Sequence, residues 1–140
     1  MRPTGVVLLI FSIVLSATIP NTALAGSNWT GEYANKNFLN GQAVFEFSIE
    51  QSANAIKIAF DAAYNDAHGA VPDGEGQARI TGKNTLEFKW EDSFENSGTG
   101  TITRVGDGIY VSMKTTRVVD SRCLPFYGQN MRLKRVGKGT

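Results

Sequence analysis

Two stretches of the chain place glycines at one spacing, Gly74-x-Gly76-x5-Gly82 and Gly98-x-Gly100-x5-Gly106, 24 residues apart. Each opens a run of alternating apolar and polar residues, turns near its third glycine, and alternates again. In the first, Gly76, Ala78 and Ile80 alternate with Gln77 and Arg79; after a turn at Thr81–Asn84 come Leu86, Phe88 and Trp90 with Glu87 and Lys89 between them. In the second, Gly100 and Ile102 alternate with Thr101 and Thr103; after a turn at Val105–Gly108 come Ile109, Val111 and Met113. A period of two places successive side chains on opposite faces of a strand, so each stretch reads as a β-hairpin with one face buried. A chain carrying this hairpin twice is constrained to an antiparallel sheet.

The same period continues upstream. Phe45, Phe47 and Ile49 share one face near Ala43–Gln51, and Ile56, Ile58 and Phe60 share one after a turn at Ser52–Asn54. Trp29–Ala34 and Met131–Val136 bring the expected count to eight strands. No segment has a period near 3.6; only Val118–Tyr127 leaves room for a helical turn. Eight consecutive short strands without helical crossovers predict an all-β, eight-stranded antiparallel up-and-down barrel, because pairing the first strand with the last removes both exposed edges. A β-sandwich of the same strands is the alternative.

Connection lengths alternate. Short turns are expected at about 52–54, 81–84 and 105–108, and longer loops at about 35–42, 63–73, 92–97 and 116–130. In a meander alternate connections emerge at one end, so the long loops gather at a single rim. Polar loops on a rigid scaffold are where binding usually resides, which makes that rim the expected functional end.

The first 25 residues read as a signal peptide: Arg2, an apolar stretch over Val6–Leu15, and the small-x-small triplet Ala23-Leu24-Ala25. The stretch is short for a membrane span, and no later segment approaches roughly 20 apolar residues. An exported single domain over residues 26–140, periplasmic or secreted, is therefore expected. Cleavage removes one basic residue and leaves 13 basic against 13 acidic (14 − 1 = 13), which gives no general attraction to nucleic acid or membrane. Charge is nonetheless uneven, since residues 26–98 hold 11 acidic and 5 basic residues and residues 99–140 hold 2 and 8. The two readings are a charge dipole across the domain and simple solvation of outward faces. Cys123 is the only cysteine, so no internal disulfide is possible; it reads either as a small buried side chain, the commoner case, or as a thiol available to pair with another molecule.

In architecture the chain resembles the lipocalin and avidin-like group of small barrels. Trp29, within Asn28-Trp29-Thr30-Gly31, is similar to the tryptophan with a nearby glycine that opens such barrels. The resemblance implies a basic residue late in the chain packed over that tryptophan, a role open to Arg132 or Arg135.

Candidate sites follow from residue types. On the expected rim, Asp66, His68, Asp73 and Glu75 carry ligand-type side chains, but their spacing matches neither a calcium loop nor a zinc pattern, and Asn, Asp, Gly and Pro are ordinary turn formers. No metal and no cofactor is expected. A nucleophilic site would need His68, the only histidine, with Asp66 or Cys123, and the sequence shows no activating group for it. Glu91, Asp92 and Glu95 read as a solvated acidic turn. Arg117, Arg122, Phe126 and Tyr127 are types enriched where proteins grip partners, although Leu124–Tyr127 could equally fold inward as a plug. Phe45, Phe47, Phe60, Phe88 and Trp90 face the interior, where they would fill the barrel or hold one small apolar ligand, any spare room lying along Gly98 and Gly100. The functional expectation is an exported, non-catalytic binding protein for a small apolar molecule or an extracytoplasmic protein. The alternative is a protein-binding inhibitor of a secreted hydrolase, similar to the periplasmic lysozyme inhibitors in shape.

Overall fold

The computed structural model describes residues 28–137; the signal peptide expected over residues 1–25 lies outside them. Eight strands form a closed antiparallel barrel in sequence order: β1 (Gly31–Asn37), β2 (Ala43–Gln51), β3 (Ile56–Tyr64), β4 (Asp73–Gly82), β5 (Thr85–Asp92), β6 (Ser97–Val105), β7 (Gly108–Arg117) and β8 (Met131–Gly137). Closure comes from β1 pairing with β8, Tyr33 opposite Arg135 and Ala34 opposite Lys134. The up-and-down barrel is therefore the observed solution, not the sandwich, and among the described residues every strand has a partner on both sides.

The connections alternate as their lengths predict. Tight turns join β2 to β3, β4 to β5 and β6 to β7, with Gly106 in the left-handed region (φ 61°). The loops of residues 38–42, 65–72, 93–96 and 118–130 all leave the opposite rim. Phe38–Gly41 makes one turn, with Leu39 and Asn40 in left-handed conformations. The β7–β8 loop contains a 3-10 helix at Ser121–Phe126, inside the segment where a helical turn was expected.

Inward side chains from every strand meet in one core that runs from Trp29 to Phe126. The rings touch in series: Phe45 on Phe60 (5.9 Å between centroids), Phe60 on Phe47 (6.4 Å), Phe47 on Phe88 (5.7 Å) and Phe60 on Trp90 (5.8 Å). An eight-stranded barrel is only just wide enough for its own side chains, and these rings use that width. The paired glycines explain how they fit. Gly74 lies opposite Phe60 and Gly100 opposite Phe88. A Cβ on Gly74 would lie 2.5 Å from the Phe60 ring, and one on Gly100 would collide with the Phe88 ring. The room expected beside the sixth strand is thus taken by the Phe88 ring at Gly100 and by the Lys114 backbone at Gly98.

The tight-turn rim is sealed by Trp29, 1% exposed. Its backbone N–H donates to Gln51 Oε1 (2.8 Å), and the Arg104 guanidinium stacks on its ring at 3.9 Å. Here the resemblance to lipocalins needs correction. The cation over Trp29 is neither Arg132 nor Arg135 but Arg104 of β6. Arg135 instead lies 5.9 Å from the Tyr33 ring and donates to the Thr30 carbonyl, and Arg132 lies over Tyr110. The register of closure puts Arg135 opposite Tyr33, and Arg104 takes the place over the Trp29 ring.

Candidate functional site

The long-loop rim is closed by the segment whose two readings the sequence left open. Phe126 is fully buried, stacked 6.2 Å from Phe38 and tilted against Tyr64 at 5.1 Å. Tyr127 packs 4.6 Å from Trp90 and 5.8 Å from Phe60. Both residues are a plug that continues the core, Phe126 wholly buried and Tyr127 partly so.

Beneath the plug lies a polar hub. Asp92, at the end of β5, is 6% exposed and its carboxylate accepts four hydrogen bonds. The backbone N–H groups of Phe94 (2.8 Å) and Asn96 (2.9 Å) donate to Oδ1; the Asn96 amide (2.9 Å) and the Tyr127 hydroxyl (2.5 Å) donate to Oδ2. Asn96, fully buried, then accepts from the backbone N–H groups of Val119 (2.7 Å) and Asp120 (2.9 Å). A buried charge is tolerated only when its lone pairs are filled, and here the filling ties the β5–β6 turn to the β7–β8 loop and the plug. Burial and the bond to Asp92 drive the Tyr127 pKa upward, so its proton stays in place. Cys123 is buried beside the hub; burial, then the Asp92 and Asp120 carboxylates, push its thiol up to about 11. It is a protonated, packed side chain at neutral pH.

Asp92 and Asn96 are the residues that sequence reading missed, since the turn looked like a solvated acidic one. Glu91 and Glu95 are indeed exposed. The available signal was the Asp92–Asn96 spacing, in which an Asx side chain caps backbone N–H groups two and four residues on.

The β3–β4 loop docks on its neighbours through its backbone. Asn65 binds Gln42 O (2.9 Å) and Gly41 O (2.8 Å), and Asp73 and Ser93 exchange two hydrogen bonds. His68 stacks on Tyr64 at 4.1 Å and its Nδ1 pairs with Asp66. That bond to His68 lowers the Asp66 pKa. Asp66 and His68 are thus neighbours at the rim, while Asp73 starts β4 and Glu75 stands on the outer wall opposite Glu91. Among the described residues no group of three His, Cys, Asp or Glu side chains is placed to hold a metal ion.

What the rim does present is exposed apolar side chains and arginines. Val118, Val119 and Leu124 of the β7–β8 loop are 47%, 51% and 37% exposed, and Val71 on the adjoining β3–β4 loop is 48% exposed. Arg122 forms a two-pronged pair with Asp120 (2.6 and 3.0 Å) and lies 5.7 Å from the Phe94 ring. The guanidinium holds the Asp120 carboxyl down at about 2. Arg117 is exposed at the end of β7.

Both charge expectations are met in part: the charges do line outward faces, and they segregate. Glu46, Asp61 and Asp73 stand directly opposite one another on β2, β3 and β4, and Glu75 stands opposite Glu91. The outer faces of β7 and β8 carry Lys114, Arg132 and Lys134. Comparison with protein-family models, with curated proteins and with solved structures found no match.

Proposed function

We propose that this chain is an exported, non-catalytic binding protein of lipocalin- or avidin-like shape, which recognises an extracytoplasmic protein through its long-loop rim. The observation that carries the reading is that the rim's exposed loops are held by a buried hub. Val119 and Asp120 hang from Asn96, which hangs from Asp92. Loops fixed before binding lose less freedom on association, so their contacts convert more fully into affinity. The displayed residues also have interface character: Val118, Val119 and Leu124 are exposed apolar side chains on a loop that follows Arg117 and carries Arg122, itself over the Phe94 ring. The ring-to-ring interior favours recognition at the surface over an apolar ligand held inside. A secreted hydrolase is a fitting partner class by analogy with the small exported barrels of the periplasmic lysozyme inhibitors.

The test is site-specific photo-crosslinking in the extracytoplasmic fraction, with the crosslinker at Val119 and, as control, at Ile80 on the opposite rim. A discrete adduct from position 119, lost in Leu124→Asp with folding intact, is expected. Equal adducts from both positions, or none from 119, would sink the reading.

A further inference from the structure

A second surface lies away from the rim, on the outer wall over β4–β7. It is an open groove of about 850 Å³. Small-ligand sites span roughly 300–1,000 Å³, so the size is that of a ligand site. Two cross-strand rows build it. One runs Gln77, Lys89, Thr99, Lys114 and the other Arg79, Glu87, Thr101, Ser112, each residue directly opposite the next. Its floor is the inward-facing row Ala78, Phe88, Gly100 and Met113.

Charge in the groove is unbalanced. Arg79 is neutralised by Glu87 at 2.9 Å, whereas Lys89 and Lys114 take part in none of the three ion pairs among the described residues. These lysines stand two strands apart, about 10 Å, on either side of Thr99. Between and beside them are hydroxyls and amides, which both donate and accept. The neighbouring groove over β2–β5 carries Glu50, Asp73, Glu75 and Glu91, so an anion is steered to this one.

We propose that this groove binds an acidic oligosaccharide, its two acid groups (carboxylates or phosphate esters) at Lys89 and Lys114 and its hydroxyls at Thr99 and Thr101. Sugar hydroxyls both give and take hydrogen bonds, as this lining does. An acidic peptide fits less well. Its backbone would need an unpaired strand edge, which the closed barrel lacks.

The experiment is a backbone-amide NMR titration of the intact protein with oligogalacturonate, a phosphorylated maltooligosaccharide of similar length, the neutral maltooligosaccharide, and inorganic tripolyphosphate. Saturable shifts confined to β4–β7, with at least one acidic sugar binding more tightly than both controls, are expected; whichever sugar does so identifies the acid group. Lys89→Gln with Lys114→Gln should weaken that binding about tenfold, while Lys57→Gln on the other wall leaves it unchanged. Thr101→Val should weaken the sugar and leave tripolyphosphate unaffected. The proposal is overturned if neither acidic sugar exceeds both controls, or if the double variant, its spectrum otherwise native, binds as tightly as the parent.

Discussion

Replacing Asp92 by alanine removes the acceptor of four hydrogen bonds at once. Hydrogen bonds to a charged partner contribute roughly 1.5–3 kcal/mol each, and a buried donor left unsatisfied costs about 1–3 kcal/mol. The four do not add. Phe94 N–H and the Tyr127 hydroxyl are only partly buried, so water can reach them once the carboxylate is gone. The buried Asn96 N–H and amide have less recourse. A loss of about 3–5 kcal/mol follows, a large share of the roughly 5–15 kcal/mol that stabilises a domain. Tyr127→Phe, which deletes one of the four donors and keeps the ring against Trp90, should cost about 1.5–2 kcal/mol. Urea unfolding followed by tryptophan fluorescence reads both, because Trp29 and Trp90 are buried at opposite ends of the barrel. The double variant should show a coupling of about 1–2 kcal/mol, since the two side chains share a bond. A cost below about 1 kcal/mol for Asp92→Ala, or strict additivity with Tyr127→Phe, would refute the hub as the element that orders the rim.

Two further outcomes test the interior and the thiol. Gly76→Ala places a Cβ against the Lys89 backbone carbonyl, which cannot step aside, and should cost about 3 kcal/mol or more; Gly41→Ala, at φ +86° with open space around it, should cost about 1 kcal/mol, and the reverse order of urea midpoints would contradict the account. Cys123 has a folded-state pKa raised from 9.0 to about 11, so its contribution is fully present below pH 9 and is lost as pH rises toward and through 11; unfolding free energy should fall by on the order of 2 kcal/mol over that window, and fall less in Cys123→Ala.

The barrel was legible because the information that specifies it is local. Inward and outward positions alternate within each strand, and loop lengths alternate between strands, so both can be read without knowing which residues meet. What could not be read depends on register. Arg104 covers Trp29 from 75 positions along the chain (104 − 29 = 75), and Arg132 and Arg135 were equally eligible until closure fixed where β8 lies. The bond between Tyr127 and Asp92 spans 35 residues, and that between Val119 and Asn96 spans 23. The carboxylate row Glu46–Asp61–Asp73 likewise exists only once three strands are aligned. In sequence these are scattered acids, and like charges directly opposite one another destabilise a sheet.

Sealing at both rims decides where binding chemistry can sit. Trp29 closes one end, Phe126 and Tyr127 close the other, and aromatic rings fill the length between them. With closure at both ends, contact with other molecules falls to the loops and the outer wall. A loop as long as residues 118–130 would not be ordered by its plug alone, because Phe126 and Tyr127 anchor only its C-terminal half. Its outer half, from Val118 to Asp120, is held by Asn96 through two backbone bonds. A connection needed only to return the chain to β8 has no use for a desolvated carboxylate, since β7 and β8 pair without it. Asp92 therefore serves both the shape of the displayed loop, through Asn96, and the seating of the plug, through Tyr127, rather than the pairing of β7 with β8.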